Sequence, residues 1–283
     1  LNGPVSVMTQ GLTSTNNETV LIYRDAPNNA LELARQPAGS SAWNFDNLSS
    51  AGSVVSNQQS AAYLADGSLA ILLVTSDETT SNLSLWVING STVDVHPIAP
   101  LSDLSSDLRL ALGPNGTIMA AVLTTTGTLS VHELGPNSSN WTSYTAQLAG
   151  STNQFNFDLV GGEDPMMAVR SDSAQIPSLH SRVNNTTWSP LAAPLPASNL
   201  EGAWDLVVMD DHYLLMTSSG SNNELTWNTI SKDKATQSNS TWSSLAFGYR
   251  TVGSQTEAQT DGNGTIHLAY WDDTLDDVGV IRI

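Results

Sequence analysis

"TVLIYRDAPNNALELARQPAGSSAW", residues 19 to 43, reads as an apolar strand, a polar turn, a second strand, a Gly/Ser loop and a tryptophan. Its first run recurs as "SLAILLVTSD" from Ser68, "TIMAAVLTT" from Thr117, "PMMAVRSD" from Pro165, "HYLLMTSS" from His212 and "TIHLAYWDD" from Thr265. The spacing is about 48 residues, the period of a propeller blade. Each copy is followed by a second run: "ALELARQ", "LSLWVIN", "TLSVHEL", "PSLHSRV", "ELTWNTI" and "VGVIRI". Trp43, Trp141, Trp188 and Trp242 then mark a further strand in four repeats, where aromatic area packs a seam between blades. A fourth run precedes each first run: "VSVMTQ", "QSAAYLA", "LRLALG", "FNFDLVG", "WDLVVMD" and "TEAQTDG". Four strands in each of six repeats predict an all-β chain: a six-bladed β-propeller of four-stranded antiparallel blades, one domain over residues 1–283. The last repeat ends after its third strand, so the sequence leaves open how the sixth blade closes and whether N-terminal residues contribute.

In a propeller the first strand of each blade faces the central channel, and its side chains alternate in direction. Stepping back six residues from the turn residues Asp66, Asn115, Asp164, Asp211 and Asn263 gives Ser60, Arg109, Asp158, Asp205 and Glu257. Flanking apolar residues, Leu108 and Leu110, Phe157 and Leu159, Trp204 and Leu206, fit a half-buried strand. The expectation is a ring of polar groups with Arg109 as its only cation. Two readings stand: the charges hydrate a channel or pair with one another, or Arg109 and a carboxylate bind a small molecule.

Composition narrows the partners. A formal charge of −18 opposes nucleic acid and anionic lipid, and no apolar run is long enough for a spanning helix. The chain has no cysteine, and N-x-S/T acceptors begin at Asn17, Asn47, Asn82, Asn89, Asn115, Asn137, Asn140, Asn184, Asn185, Asn239 and Asn263. These predict N-glycans and a signal-processed, secreted protein. His96, His132, His180, His212 and His267 lack metal-ligand spacing, so no metal is expected; His132 and His180 fall in third strands, with a structural role. Asp25, Asp77, Glu78, Asp172, Asp272 and Asp273 read as turn chemistry. No covalent nucleophile motif or phosphate loop occurs, and "GPNGT" and "DGNGT" are hairpin turns. No cofactor is expected.

The quoted stretch resembles one unit of the fungal fucose-specific-lectin type of six-bladed propeller, and the layout extends over essentially the whole chain. That family repeats an arginine near the start of the second strand, a glutamate in the third and a nearby aromatic. Only the first repeat approximates this, with Arg24, Glu32 and Trp43; Arg170 is the one other second-strand arginine. The resemblance therefore implies one axial site rather than a sugar site in every cleft. In architecture the chain also resembles the fungal hetero-Diels–Alderases that join a tropolone quinone methide to a sesquiterpene. This second resemblance implies a cofactor-independent cyclase acting on largely apolar small molecules, by positioning and hydrogen-bond activation. Under it Arg109 would donate to a substrate oxygen, and Asp158, Asp205 and Glu257 would orient it or assist dehydration. Tyr63, Phe157 and Trp204 would line an apolar wall, with Ser60 and Gln259 as further substrate-binding positions. The alternative is a secreted glycan-binding propeller without catalytic activity.

Overall fold

The structure is a computed structural model describing residues 5–13, 18–25, 30–48, 54–76, 80–101, 105–148, 154–162, 164–171, 178–184, 186–193, 204–218, 225–246, 252–260, 265–272 and 277–282. Two compact units divide the chain at Thr145 and Ala146, and each contains three sheets. In the first unit, sheet 1 is β1 (Val5–Thr13), β2 (Thr19–Asp25), β3 (Ala30–Gln36) and β4 (Asn44–Asn47). Sheet 2 is β5 (Val54–Tyr63), β6 (Leu69–Ser76), β7 (Ser81–Asn89) and β8 (Thr92–Leu101). Sheet 3 is β9 (Ser105–Leu112), β10 (Ile118–Thr124), β11 (Leu129–Leu134) and β12 (Thr142–Thr145).

In the second unit, sheet 4 is β13 (Gln147–Leu148), β14 (Gln154–Val160), β15 (Met166–Ser171), β16 (Ser178–Arg182) and β17 (Thr187–Pro190); β13 runs parallel to β17 at its edge. Sheet 5 is β18 (Trp204–Val208), β19 (His212–Ser218), β20 (Leu225–Ser231) and β21 (Ser243–Ala246), with one turn of helix after β20. Sheet 6 has three described strands, β22 (Val252–Thr260), β23 (Ile266–Asp272) and β24 (Asp277–Arg282). The N-terminal strand β1 pairs with β2 as the first strand of sheet 1.

Strand order within the sheets explains the sequence pattern. A second strand lies between two others and is covered on both faces, so it reads as a continuous apolar run rather than an alternating one. On β6, Leu69, Ile71 and Leu73 pack with Val20, Ile22, Leu31 and Leu33 of sheet 1. The intervening Ala70, Leu72 and Val74 pack with Leu108, Leu110, Ala120 and Val122 of sheet 3. On β19, Leu215 packs with Met166 and Leu179 of sheet 4, while Leu214 and Met216 pack with Ile266 and Leu268 of sheet 6. Burying such side chains contributes roughly 1.5–3 kcal/mol each.

The tryptophans sit where a fourth strand begins: Trp242 joins the core between sheets 4 and 5, and Trp141 packs on the core between sheets 2 and 3. Trp86, on β7, fills the core between sheets 1 and 2. Asp66 turns the chain between β5 and β6 by accepting from the Ser68 N–H (2.9 Å) and Ser68 Oγ (2.6 Å), which hold its carboxyl below its usual pKa. The acidic residues Asp77, Glu78, Asp172 and Asp273 lie outside the described residues.

Candidate functional site

The first strand of every sheet is an edge, so alternate N–H groups on it point away from their own sheet and need acceptors elsewhere. The residues aligned from the sequence do occupy one register of these strands. Arg109 stands opposite Ala121, Asp158 opposite Ala168, Asp205 opposite Met216, Glu257 opposite Ala269 and Ser60 opposite Leu72.

Their role differs from the expected ring. Ser60 Oγ accepts from the Leu110 N–H of the next sheet at 2.8 Å. Asp158 accepts from the Leu206 N–H of the next sheet at 3.0 Å and from its own neighbour Leu159 at 2.8 Å. Asp205 accepts from Leu206 at 3.0 Å and from the Ala258 N–H of sheet 6. In each case the donating N–H belongs to the residue after the aligned position on the neighbouring strand. Ser60, Asp158 and Asp205 are thus buried staples that satisfy an edge strand; Asp158 is 8% exposed and Asp205 7%. These three side chains, expected from the sequence to act on or bind a substrate, accept from backbone N–H groups here.

Arg109 behaves differently. Its Nη1 donates to Asp107 Oδ1 at 2.7 Å and to the Leu108 carbonyl at 2.9 Å, and its side chain remains 30% exposed. The counter-ion is Asp107, two residues back on the same strand, a partner absent from the expected ring.

Two of the residues expected to line an apolar wall pack in cores. Phe157 is fully buried, and Tyr63 packs against the core between sheets 1 and 2. Alternation along an inner strand turns both neighbours of an aligned residue to the opposite face, as Leu108 and Leu110 beside Arg109 both join the core between sheets 2 and 3. Trp204, Glu257 and Gln259 lie on β18 and β22, but their side chains fall outside the described residues. In sheet 1, Glu32 stands opposite Tyr23, one register position from the Arg24–Leu31 pair, and its Oε1 accepts from Asn47 Nδ2 at 3.1 Å.

An open cleft of about 220 Å³ lies elsewhere, between the C-terminal end of β8 and the face of sheet 3. Ala99, Pro100, Leu101 and Val122 make its apolar wall; Thr124, Thr128, Ser130 and His132 make its polar one. The geometry follows from period-2 alternation: Thr128, Ser130 and His132 share one face at the start of β11, and Ser130 stands opposite Val122. The Thr128 N–H donates to Thr124 Oγ1 at 3.1 Å and the Thr124 N–H to the Thr128 carbonyl at 2.9 Å, fixing the turn at the mouth.

His132 is 5% exposed. Its Nδ1 is hydrogen bonded to Ser143 Oγ at 2.7 Å, whereas its Nε2 makes no hydrogen bond. Burial pushes its pKa down to about 4, so the ring is neutral at ordinary pH. His180 occupies the corresponding place on β16, with Nε2 at 2.7 Å from Ser178 Oγ and a pKa also pushed to about 4 by burial. The run "TLSVHEL" places Thr128, Ser130 and His132 on one strand, with His132 read as structural, so the cleft was not anticipated. The signal that could have found it was the Thr-x-Ser-x-His alternation.

Among the described residues no three His, Asp or Glu side chains converge as a metal site. No helix among them is long and apolar enough to cross a membrane.

No family model matches the chain, and no curated protein sequence matches it. Solved structures do. AofleA from Arthrobotrys oligospora is similar with a TM-score of 0.68 at 8% identity, over 100% of this chain and 85% of that one. The six-bladed fucose-recognising lectin of Aleuria aurantia is similar with a TM-score of 0.66 at 13% identity, over 99% and 93%. The α-L-arabinanase of Penicillium chrysogenum, solved with arabinobiose, is similar with a TM-score of 0.60 at 12% identity, over 98% and 92%. At these identities the likeness shows the fold alone: this all-β chain, with six sheets in sequence order, has the six-bladed β-propeller fold.

Proposed function

We propose that the chain is a glycan-binding propeller whose ligand seats in the cleft between β8 and sheet 3. The observation carrying this reading is the pairing of an apolar wall (Ala99, Pro100, Leu101, Val122) with a polar one (Thr124, Thr128, Ser130, His132). A sugar presents the same two surfaces, C–H faces and hydroxyls. The hydroxyls of the polar wall can serve it as donors and acceptors. The volume of about 220 Å³ is below the 300–1,000 Å³ typical of drug-sized ligands, and suits a monosaccharide unit better than a quinone methide with a sesquiterpene. The solved relatives named for fucose recognition and for an arabinobiose complex support the saccharide class. The N-x-S/T acceptors support passage through the secretory pathway.

A glycan array followed by titration of the best hit tests the proposal, with Ala99→Phe filling the cleft. Expected is saturable binding lost in Ala99→Phe while the circular dichroism spectrum and melting temperature are retained. No hit, or equal binding by the filled variant, overturns it.

A second reading, a cofactor-independent hetero-Diels–Alderase, is favoured by one observation: Arg109 keeps 30% exposure in a register where Ser60, Asp158 and Asp205 are buried. It predicts turnover of a tropolone quinone-methide precursor with a sesquiterpene alcohol, reduced at least tenfold by Arg109→Ala. Product formation at the background rate with the wild-type chain sinks it.

A further inference from the structure

The glycosylation acceptors are distributed unevenly over the sheets. In an antiparallel sheet ordered one to four, the first-to-second and third-to-fourth connections leave from the same end. Asn115 lies in the β9–β10 connection; Asn89 closes β7 toward β8; Asn137 and Asn140 lie between β11 and β12, Asn184 between β16 and β17, and Asn239 between β20 and β21. All six are exposed, each at this end of its own sheet. Asn17, Asn185 and Asn263 fall outside the described residues, in the stretches of chain between β1 and β2, β16 and β17, and β22 and β23.

The second-to-third connections and those between sheets do contain asparagines: Asn28, Asn29, Asn153, Asn199, Asn222 and Asn223. None of these begins N-x-S/T. The cleft opens at this second end, because the Thr124–Thr128 turn joins β10 to β11 and Ala99–Leu101 terminate β8.

Two described acceptors depart from the pattern. Asn47 is exposed on the outermost strand of sheet 1. Asn82 is half-buried on β7, opposite Thr75 of β6 on one side and Pro100 of β8 on the other. Its Nδ2 lies 3.5 Å from Thr80 Oγ1. A glycan there would have to leave from the face of a strand flanked on both sides, beside Pro100 of the cleft wall.

We propose that N-glycans are carried at the first-to-second and third-to-fourth ends of the sheets, at Asn89, Asn115, Asn137 or Asn140, Asn184 and Asn239, while Asn82 is unmodified and the cleft end of sheet 3 is bare. A modified Nδ2 needs room for a bulky, solvated substituent, which exposed turns provide and a paired central strand does not. The proposal concerns modification only and does not depend on what the cleft binds.

The test is site mapping by mass spectrometry. The full chain is expressed behind a secretion signal in a fungal host and treated with peptide N-glycosidase in ¹⁸O water, so that occupied asparagines appear as labelled aspartates. Label at these turn positions, with none at Asn82, is expected. Unlabelled turn positions, or labelled Asn82, overturn the proposal. Because the map is read without ligand, its failure is distinct from failure of the glycan-binding reading.

Discussion

Replacing Asp158 with alanine removes an acceptor from two backbone N–H groups on two different sheets. Leu159 loses its 2.8 Å bond, and Leu206 loses its 3.0 Å bond while keeping Asp205 Oδ1 as a second acceptor at 3.0 Å. A buried N–H left without a partner costs about 1–3 kcal/mol, and a hydrogen bond to a charged group contributes about 1.5–3 kcal/mol. With Leu206 partly compensated, Asp158→Ala is expected to destabilise the second unit by about 2–4 kcal/mol. Asp158→Asn retains one acceptor oxygen but places an amide NH₂ against the other N–H, so it should fall between alanine and wild type. The assay is urea unfolding followed by tryptophan fluorescence, with Asp94→Asn as an exposed control on β8 expected within about 0.5 kcal/mol of wild type. If Asp158→Ala unfolds at the wild-type midpoint, the staple reasoning is refuted. If it does so while abolishing ligand binding or turnover, the carboxylate acts on a ligand instead.

Three further outcomes follow from the same geometry. His132 and His180 are held neutral with pKa values near 4 against about 6.5 in the unfolded chain, so between those values the unfolded state binds more protons. Their contribution is complete above pH 6.5 and declines as pH falls toward 4, by at most about 3 kcal/mol each; a urea midpoint at pH 4.5 equal to that at pH 7.5 would contradict this. Asn228 is fully buried, donates to the Leu215 carbonyl (3.2 Å) and Thr217 Oγ1 (3.3 Å) and accepts from Ser244 Oγ (2.7 Å); Asn228→Ala should cost about 2–4 kcal/mol in the same assay. Thr126→Asn creates an N-G-T acceptor in the exposed turn at the cleft mouth, and the glycosylated variant should lose the array ligand, with binding restored when the glycan is removed.

The fold was legible because second strands covered on both faces must be apolar throughout, and their recurrence needs no knowledge of neighbours. Register was legible too, since counting back from the hairpin turns brings Ser60, Arg109, Asp158, Asp205 and Glu257 to equivalent places on five strands. What those side chains touch was not. Whether an aspartate on an inner strand meets solvent or the N–H of the next sheet depends on how closely two edges approach, which no spacing within one repeat encodes. Asp107 was overlooked as the partner of Arg109 because it shares its strand rather than its register. The cleft escaped notice for a related reason: part of its lining is Ala99–Leu101, and the rest, Val122 to His132, lies more than 20 positions later.

The most direct measurement is a crystal structure of the chain soaked with the best glycan-array hit. Density is expected between the Ala99–Leu101 wall and Thr124, Thr128 and Ser130, with ligand oxygens within hydrogen-bond reach of those hydroxyls. Ligand density against the Arg109 guanidinium, with the β8 cleft clear, would contradict it.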